Sequence, residues 1–150
     1  MKRFVIFLAT IELGRIGSSV AIAQEVNTDT ISVTRIVICE TILNREPIED
    51  IHKRRPAWLS HPDTLFCFTE LNGIVGKIVH VWYHGDSVRA KITLNKSKAG
   101  RWRTWSSKNM KPYRESEIDR WRVDVLDEEG KVLKRIDFKY SWQPPPAVSF

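Results

Sequence analysis

The chain has 150 residues, of which 24 are lysine or arginine and 18 are aspartate or glutamate, and its formal net charge is +6. This length allows one compact hydrophobic core and excludes two domains of ordinary size. The mild positive charge favours weak attraction to anionic partners. Four of the six tryptophans fall between Trp82 and Trp121, and tryptophan is typical of cores and of contact surfaces.

The first 23 residues have the pattern of a secretory signal peptide. Met1–Arg3 is positively charged, residues 4–11 are apolar, and Ala21–Ala23 is a small-x-small cleavage pattern. Glu12 and Arg15 interrupt the apolar run, which is therefore too short for a membrane-spanning helix. We predict a cleaved signal; an uncleaved membrane-surface anchor and a mis-assigned start codon are the alternatives.

Export decides which partners are available. Removing the signal takes away three basic residues and one acidic residue, so the net charge falls from +6 to +4. Nucleic acid is the first candidate for basic residues interleaved with tryptophan, but an exported protein does not meet it. We therefore expect a periplasmic or cell-envelope protein with no transmembrane segment in its mature chain. Its expected partner is an envelope protein or an anionic envelope polymer.

Two cysteines, Cys39 and Cys67, each lie within an apolar, strand-like run. In an oxidising compartment two buried cysteines usually pair, so we predict one disulfide between them. Two unpaired core cysteines are the alternative. Apolar burial raises the pKa of a thiol, which argues against a catalytic cysteine.

Apolar residues alternate with polar ones over most of the chain, which is the pattern of β-strands. In Ser87–Leu94, for example, Val88, Ala90, Ile92 and Leu94 share one side. The segment Asp127–Gly130 predicts a hairpin turn. About seven strands are predicted, over residues 31–43, 64–71, 74–83, 87–94, 101–107, 121–125 and 131–140.

This strand spacing predicts an all-β fold, a single antiparallel β-sandwich with an immunoglobulin-like arrangement. A small barrel is the alternative. Two loops separate the strands, over residues 45–63, where one helical turn is allowed, and 109–119. The predicted organisation is a signal peptide (1–23), an N-terminal lead (24–33), the sandwich domain (34–142) and a mobile proline-rich tail (143–150).

Several strings in the sequence resemble a bacterial family, domain of unknown function 2914. They are Asn44–Pro47, His80–Asp86, Trp121–Leu133 and, as the most specific, the string Arg-Trp-Arg-Thr-Trp-Ser-Ser-Lys at 101–108. The resemblance extends from about Thr34 to Tyr140. It implies a compact, mostly β module of bacterial proteins and brings no established catalytic or ligand residues.

His80 and His84 are the first candidates for metal chemistry. Four residues along a strand span roughly 13 Å, which is too far for both imidazoles to bind one zinc ion at about 2.0–2.1 Å. A metal site would need His52 or His61, together with Asp63. We therefore expect no metal and no cofactor, and we expect His80 and His84 to flank Trp82 on one sheet face and to hydrogen-bond locally.

The block at 101–108 is the candidate binding face. Alternation places Arg101, Arg103 and Trp105 on one side of the strand and Trp102 and Thr104 on the other. One interpretation is a structural cation–π ladder; the other is a contact surface for a protein, a polyanion or a glycan. The full set of candidate face residues is Arg101, Arg103, Trp105, Lys108, His80, Trp82 and His84.

Catalytic signatures are missing from the sequence: it has no Gly-x-Ser-x-Gly elbow and no glycine-rich phosphate loop. We therefore predict a non-catalytic exported module with a binding or assembly role. The alternatives are a metal-dependent hydrolase centred on His80, His84 and Asp63, a carbohydrate-binding accessory domain, and a structural stabiliser whose tryptophans all lie in the core.

Overall fold

A computed structural model describes residues 29–51 and 62–140, with the backbone alone for Glu49. This part of the chain is all-β, with a short 3-10 helix at Lys111–Tyr113. Its eight strands are β1 (Ile31–Leu43), β2 (Glu46–Asp50), β3 (Thr64–Gly73), β4 (Gly76–His84), β5 (Ser87–Lys96), β6 (Trp102–Asn109), β7 (Arg120–Leu126) and β8 (Val132–Lys139).

The strands form two antiparallel sheets of four, in the orders β2-β1-β3-β6 and β5-β4-β7-β8. We call them the first and the second sheet. They pack face to face, with β6 beside β5 along one side and β1 beside β8 along the other. The predicted β-sandwich is confirmed, with eight strands.

The strand order is immunoglobulin-like once β2 is set aside. The first sheet then reads A-B-E (β1, β3, β6) and the second C′-C-F-G (β5, β4, β7, β8). The chain crosses between the sheets after β3, β5 and β6, as a Greek-key sandwich requires. The extra strand β2 lies at the outer edge of the first sheet.

The strand β2 falls in a segment that the sequence predicts to be a loop. Its hairpin turn is formed by Asn44 and Arg45, which both have positive φ (51° and 62°) and join strands paired at Leu43 and Glu46. Two residues of positive φ make the turn that suits a two-residue hairpin. Pro47 is tolerated because β2 is an edge strand. The predicted loop at 45–63 is therefore wrong over Glu46–Asp50, which form β2.

The main core lies between the sheets and is built from inward-facing residues of both. Trp82 and Trp121 are its largest members, 0% and 2% exposed. The ring of Trp82 meets Phe138 edge-on at 6.2 Å. The remaining buried residues of this cluster are Ile38, Leu65, Cys67, Met110, Val123, Phe138 and Tyr140.

The predicted disulfide is not formed: Cys39 and Cys67 are both buried free thiols. In the register of β1 and β3, Cys67 pairs with Ile38 and Cys39 pairs with Phe66. Neighbouring positions of a strand point to opposite faces, so Cys67 faces the main core and Cys39 the outer face. The sequence correctly predicted that both cysteines are buried. It could not predict that they lie on opposite faces of the first sheet.

The described residues add detail to two of the predicted segments. The strand β1 begins at Ile31, inside the predicted N-terminal lead, and the loop at 109–119 contains the 3-10 helix. Within residues 29–51 and 62–140, no helix is long and apolar enough to cross a membrane. The predicted signal peptide and the proline-rich tail lie outside the described residues, as do His52 and His61.

We predict that both thiols are unreactive in the folded protein. Burial raises the pKa of Cys39 to about 11 and raises that of Cys67 further, so neither forms a thiolate at neutral pH. A thiol reagent such as DTNB should label neither cysteine under native conditions and both in guanidinium chloride. A mass gain of two hydrogens after reduction of the denatured protein would contradict the assignment.

Candidate functional site

The candidate face residues divide into two groups. Trp105 pairs laterally with Phe68 and Arg103 with Glu70, and all of these point away from the sandwich. His80 and Trp82 point inward from β4 and are fully buried. The predicted alternation along 101–105 is confirmed, but the predicted binding residues do not form one surface.

His84 also lies in the interior, 5% exposed. Lys108, at the end of β6, lies apart from the arginines, with its ammonium 5.6 Å from the centroid of the Tyr113 ring. His80, Trp82 and His84 are therefore removed from the candidate contact surface, and Arg101, Arg103 and Trp105 remain on it.

The outer face of the first sheet carries a second apolar cluster. Val37, Cys39 and Phe68 are buried there, and Phe66 and Trp105 pack against them. None of these side chains faces the second sheet, because they alternate with the inward residues Ile38, Cys67 and Ser106. Val37, Cys39 and Phe68 are at most 7% exposed, so the part of this cluster that is accessible to a partner is its half-buried edge, Phe66 and Trp105.

An ion-pair ladder crosses the same outer face. Glu70 accepts from Arg101 at 2.6 Å and from Arg103 at 3.1 Å. Arg103 also bonds Glu46 at 2.6 Å, and Glu46 is 3.1 Å from Arg35. Three guanidinium groups and two carboxylates therefore alternate across β6, β3, β1 and β2, and we call this set the arginine ladder.

The charges of the ladder are largely matched within it. Hydrogen bonds from Arg101 and, to a smaller extent, from Arg103 hold the pKa of Glu70 below its usual range. The same bond raises the pKa of Arg101. Because these guanidinium groups already have anionic partners, the ladder offers only a small excess of positive charge to a polyanion.

Cation–π contacts exist here, but between residues other than those predicted. The guanidinium carbon of Arg35 lies 5.5 Å from the ring centroid of Phe68, and that of Arg45 lies 5.3 Å from Trp102. Among the described residues, Arg101 and Arg103 meet carboxylates instead of an indole ring. The sequence missed Glu46 and Glu70 because ladder partners on neighbouring strands are distant along the chain.

A buried polar network joins the two sheets behind the ladder. Trp82 Nε1 donates to Ser106 Oγ at 3.0 Å, and His80 Nδ1 lies 2.8 Å from the same oxygen. On its other side, His80 Nε2 is 3.4 Å from Thr69 Oγ1, which donates to the carbonyl oxygen of Thr104 at 3.3 Å. We call this set the inter-sheet relay.

The donors and acceptors of the relay fix one tautomer of His80. Thr69 gives its only proton to a carbonyl, so it must accept from His80 Nε2–H. His80 Nδ1 is then the acceptor for the hydroxyl proton of Ser106. Every hydroxyl donates once and accepts once, so the buried polar groups satisfy one another.

The pair of Ser106 and His80 has the spacing of a nucleophile and its base, but its surroundings are those of a core. His80 is 0% exposed and Ser106 4%. Burial lowers the pKa of His80 to about 4, so the imidazole is neutral at pH 7 and a poor proton acceptor. The arrangement serves as a structural tie between the sheets.

His84 belongs to an aromatic cluster at one end of the sandwich. Its ring stacks on Trp121 with centroids 4.6 Å apart and meets Tyr113 edge-on at 5.0 Å. His84 Nε2 donates to the carbonyl oxygen of Ile118 at 2.8 Å. His80 and His84 flank Trp82 on one sheet face as predicted, but their hydrogen bonds go to Ser106 and Ile118, which are 26 and 34 residues away along the chain.

The residues proposed for a metal-dependent hydrolase are not assembled into one site. Asp63 bonds Lys111 at 3.0 Å and also pairs with Arg114, and these bonds lower its pKa. His80 lies in the relay and His84 in the aromatic cluster. Within residues 29–51 and 62–140, no group of three histidine, cysteine, aspartate or glutamate side chains is placed to hold a metal ion.

A family model matches residues 76–140, from the start of β4 to the end of β8 and the following Tyr140. The family is described as Protein of unknown function (DUF2914). The chain is similar to this family over these residues. The DUF2914 match confirms the predicted family and covers the second sheet and β6, whereas the predicted resemblance began at Thr34. Comparison with curated proteins finds no match.

We predict that His80 makes the stability of the domain depend on pH. As pH falls below about 6.5 the unfolded histidine takes up a proton, but the buried one resists protonation down to about pH 4. The free energy of unfolding should therefore fall by about 3 kcal/mol between pH 6.5 and 4. Urea titrations of the wild type and His80→Asn should differ in this slope; equal slopes would contradict the buried neutral histidine.

We predict that Ser106→Ala destabilises the domain far more than Ser107→Ala. Loss of the Ser106 hydroxyl leaves Trp82 Nε1 and His80 Nδ1 buried without partners, at a cost of about 1–3 kcal/mol for each group. Ser107 is the neighbouring, exposed serine on the other face, where substitutions change stability by about 0.5 kcal/mol or less. Urea unfolding measures both; equal effects would show that the relay does not stabilise the fold.

Proposed function

We propose that this protein is a non-catalytic, exported binding module that docks an envelope protein on the outer face of its first sheet. The observation that carries the proposal is that the outer apolar cluster, in which Val37 and Phe68 are buried, ends in the half-buried side chains of Phe66 and Trp105 on a sheet face turned away from the core. Exposed apolar side chains continue it, since Leu43 is 58% exposed and Ile48 39%. Apolar patches bordered by polar groups are typical of protein-binding surfaces.

The arginine ladder supports a protein partner over an anionic polymer. Its three arginines alternate with Glu46 and Glu70, so the surface presents charges of both signs in fixed positions. Such a pattern selects a partner with complementary charges and sets its orientation. A polyanion would have to compete with the carboxylates that already bind Arg101 and Arg103.

Rigid strands make the surface ready for binding without further ordering. Arg103 is held by two carboxylates, and Trp105 lies on the central part of β6 beside Phe68. Tryptophan and arginine are the residues that most often dominate binding energy at interfaces. Export is inferred from the N-terminal sequence, and the proposal places the partner in the same compartment.

Photo-cross-linking in the intact bacterium tests the proposal. A benzoylphenylalanine at the exposed Ser107 should capture one envelope protein, whereas the same group at Thr93, exposed on the outer face of the second sheet, should not. With that partner purified, Trp105→Ala should weaken binding by roughly 30-fold or more, as expected for an interface hot spot.

Two variants control for folding and for charge. Ile48→Ser removes exposed apolar surface without disturbing packing and should also weaken binding. Arg135→Ala removes an arginine that is ion-paired to Asp124 on the second sheet and should leave binding unchanged. Capture from both positions or from neither, binding indifferent to Trp105 and Ile48, or retention of the protein in the cytosol would each overturn the proposal.

A further inference from the structure

Two cations from different sheets contact the ring of Tyr113. The guanidinium carbon of Arg89 lies 5.9 Å from the ring centroid, and the ammonium of Lys108 lies 5.6 Å from it. Arg89 is on β5 and Lys108 on β6, so the contact closes the end of the sandwich where these edge strands are neighbours. We call Arg89, Lys108 and Tyr113 the cation clamp.

A β-bulge directs Arg89 to this position. In the pairing of β4 with β5, Trp82 faces Ala90 and Tyr83 faces Val88, so Arg89 is the extra residue between them. A bulge interrupts the regular alternation and turns the side chain of the inserted residue to a new direction. Bulges of this kind are frequent on edge strands and beside functional sites.

The basic groups of the clamp differ from those of the arginine ladder in having no anionic partner among the described residues. Within residues 29–51 and 62–140, neither Arg89 nor Lys108 forms an ion pair with a carboxylate. At the same end of the fold, Asp63 is bound by Lys111 and Arg114. The two clamp charges are therefore not compensated by a carboxylate within the described ranges. They lie 5.9 and 5.6 Å from the same ring centroid.

The ring that both cations contact is held in place by the core. Tyr113 meets Trp121 edge-on, with centroids 4.8 Å apart, and His84 at 5.0 Å. Both of these partners are buried, so the 3-10 helix that carries Tyr113 is fixed to the core. A fixed platform reduces the entropy lost when a ligand orders the long side chains above it.

We propose that the cation clamp binds a phosphate group of an anionic ligand. The guanidinium fork of Arg89 can donate two parallel hydrogen bonds to one phosphate, and the ammonium of Lys108 adds a compact second charge. A bound phosphate also relieves the repulsion between the two cations. The site is separate from the proposed protein-docking face and does not depend on it.

Isothermal titration with sodium tripolyphosphate at low ionic strength tests the site. Arg89→Gln and Lys108→Gln should each weaken binding at least tenfold. Arg101→Gln removes one positive charge from the arginine ladder and is the matched control; it should change affinity less than twofold. All three residues are partly or fully exposed, so the variants are expected to fold, which circular dichroism verifies.

A second readout locates the ligand directly. In an NMR titration with the same tripolyphosphate, the Arg89 side-chain Nε–H and the Tyr113 ring signals should shift first. Vesicles of phosphatidylglycerol that show the same variant pattern would identify a lipid headgroup as the source of the phosphate; their failure to bind, with tripolyphosphate bound, would identify a soluble chain. Equal weakening by all three substitutions, or no binding by the wild type, would overturn the proposal.

Discussion

The two-residue alternation of strand β6 is the constraint on which the rest of the structure depends. Its inward positions include Ser106, which accepts from Trp82 and donates to His80. Its outward positions are Arg103 and Trp105, which belong to the ladder and the outer apolar cluster. A slip of one residue would exchange the two sets, so the buried relay and the outer surface specify each other.

The inter-sheet relay fixes this alternation strongly because its polar groups are buried. An apolar contact between the sheets tolerates small shifts, whereas a buried hydroxyl that loses its partners is costly. Ser106 connects to two residues of β4, and Thr69 connects β3 to the same histidine. The register of three strands is thereby fixed, and the guanidinium groups on the reverse side of β6 are held where the carboxylates of the neighbouring strands can meet them.

Sequence alone could predict most of the fold, because alternation and turn residues are local signals. It identified seven strand segments, the shared face of His80, Trp82 and His84, and the two sides of 101–105, but it counted those three residues among the binding-face candidates although they are buried. It missed β2, where Pro47 and three acidic residues conceal an edge strand, and it predicted a disulfide that the pleat forbids. The sequence could not predict the roles of Glu46, Glu70 and Tyr113, because these roles arise from contacts between segments that are distant along the chain.

The matched family segment cannot be the folding unit on its own. Residues 76–140 contain the second sheet and β6, yet β6 hydrogen-bonds only to β3 among the described strands. Without β1 and β3, the side chains of Trp82 and Trp121 would be exposed to solvent. His80 would also lose its hydrogen bond to Thr69. The arginine ladder likewise needs Glu46 and Glu70, which precede the matched segment. The smallest unit that completes both the core and the proposed surface therefore begins at β1, whereas the cation clamp, formed by Arg89, Lys108 and Tyr113, lies wholly within the family segment.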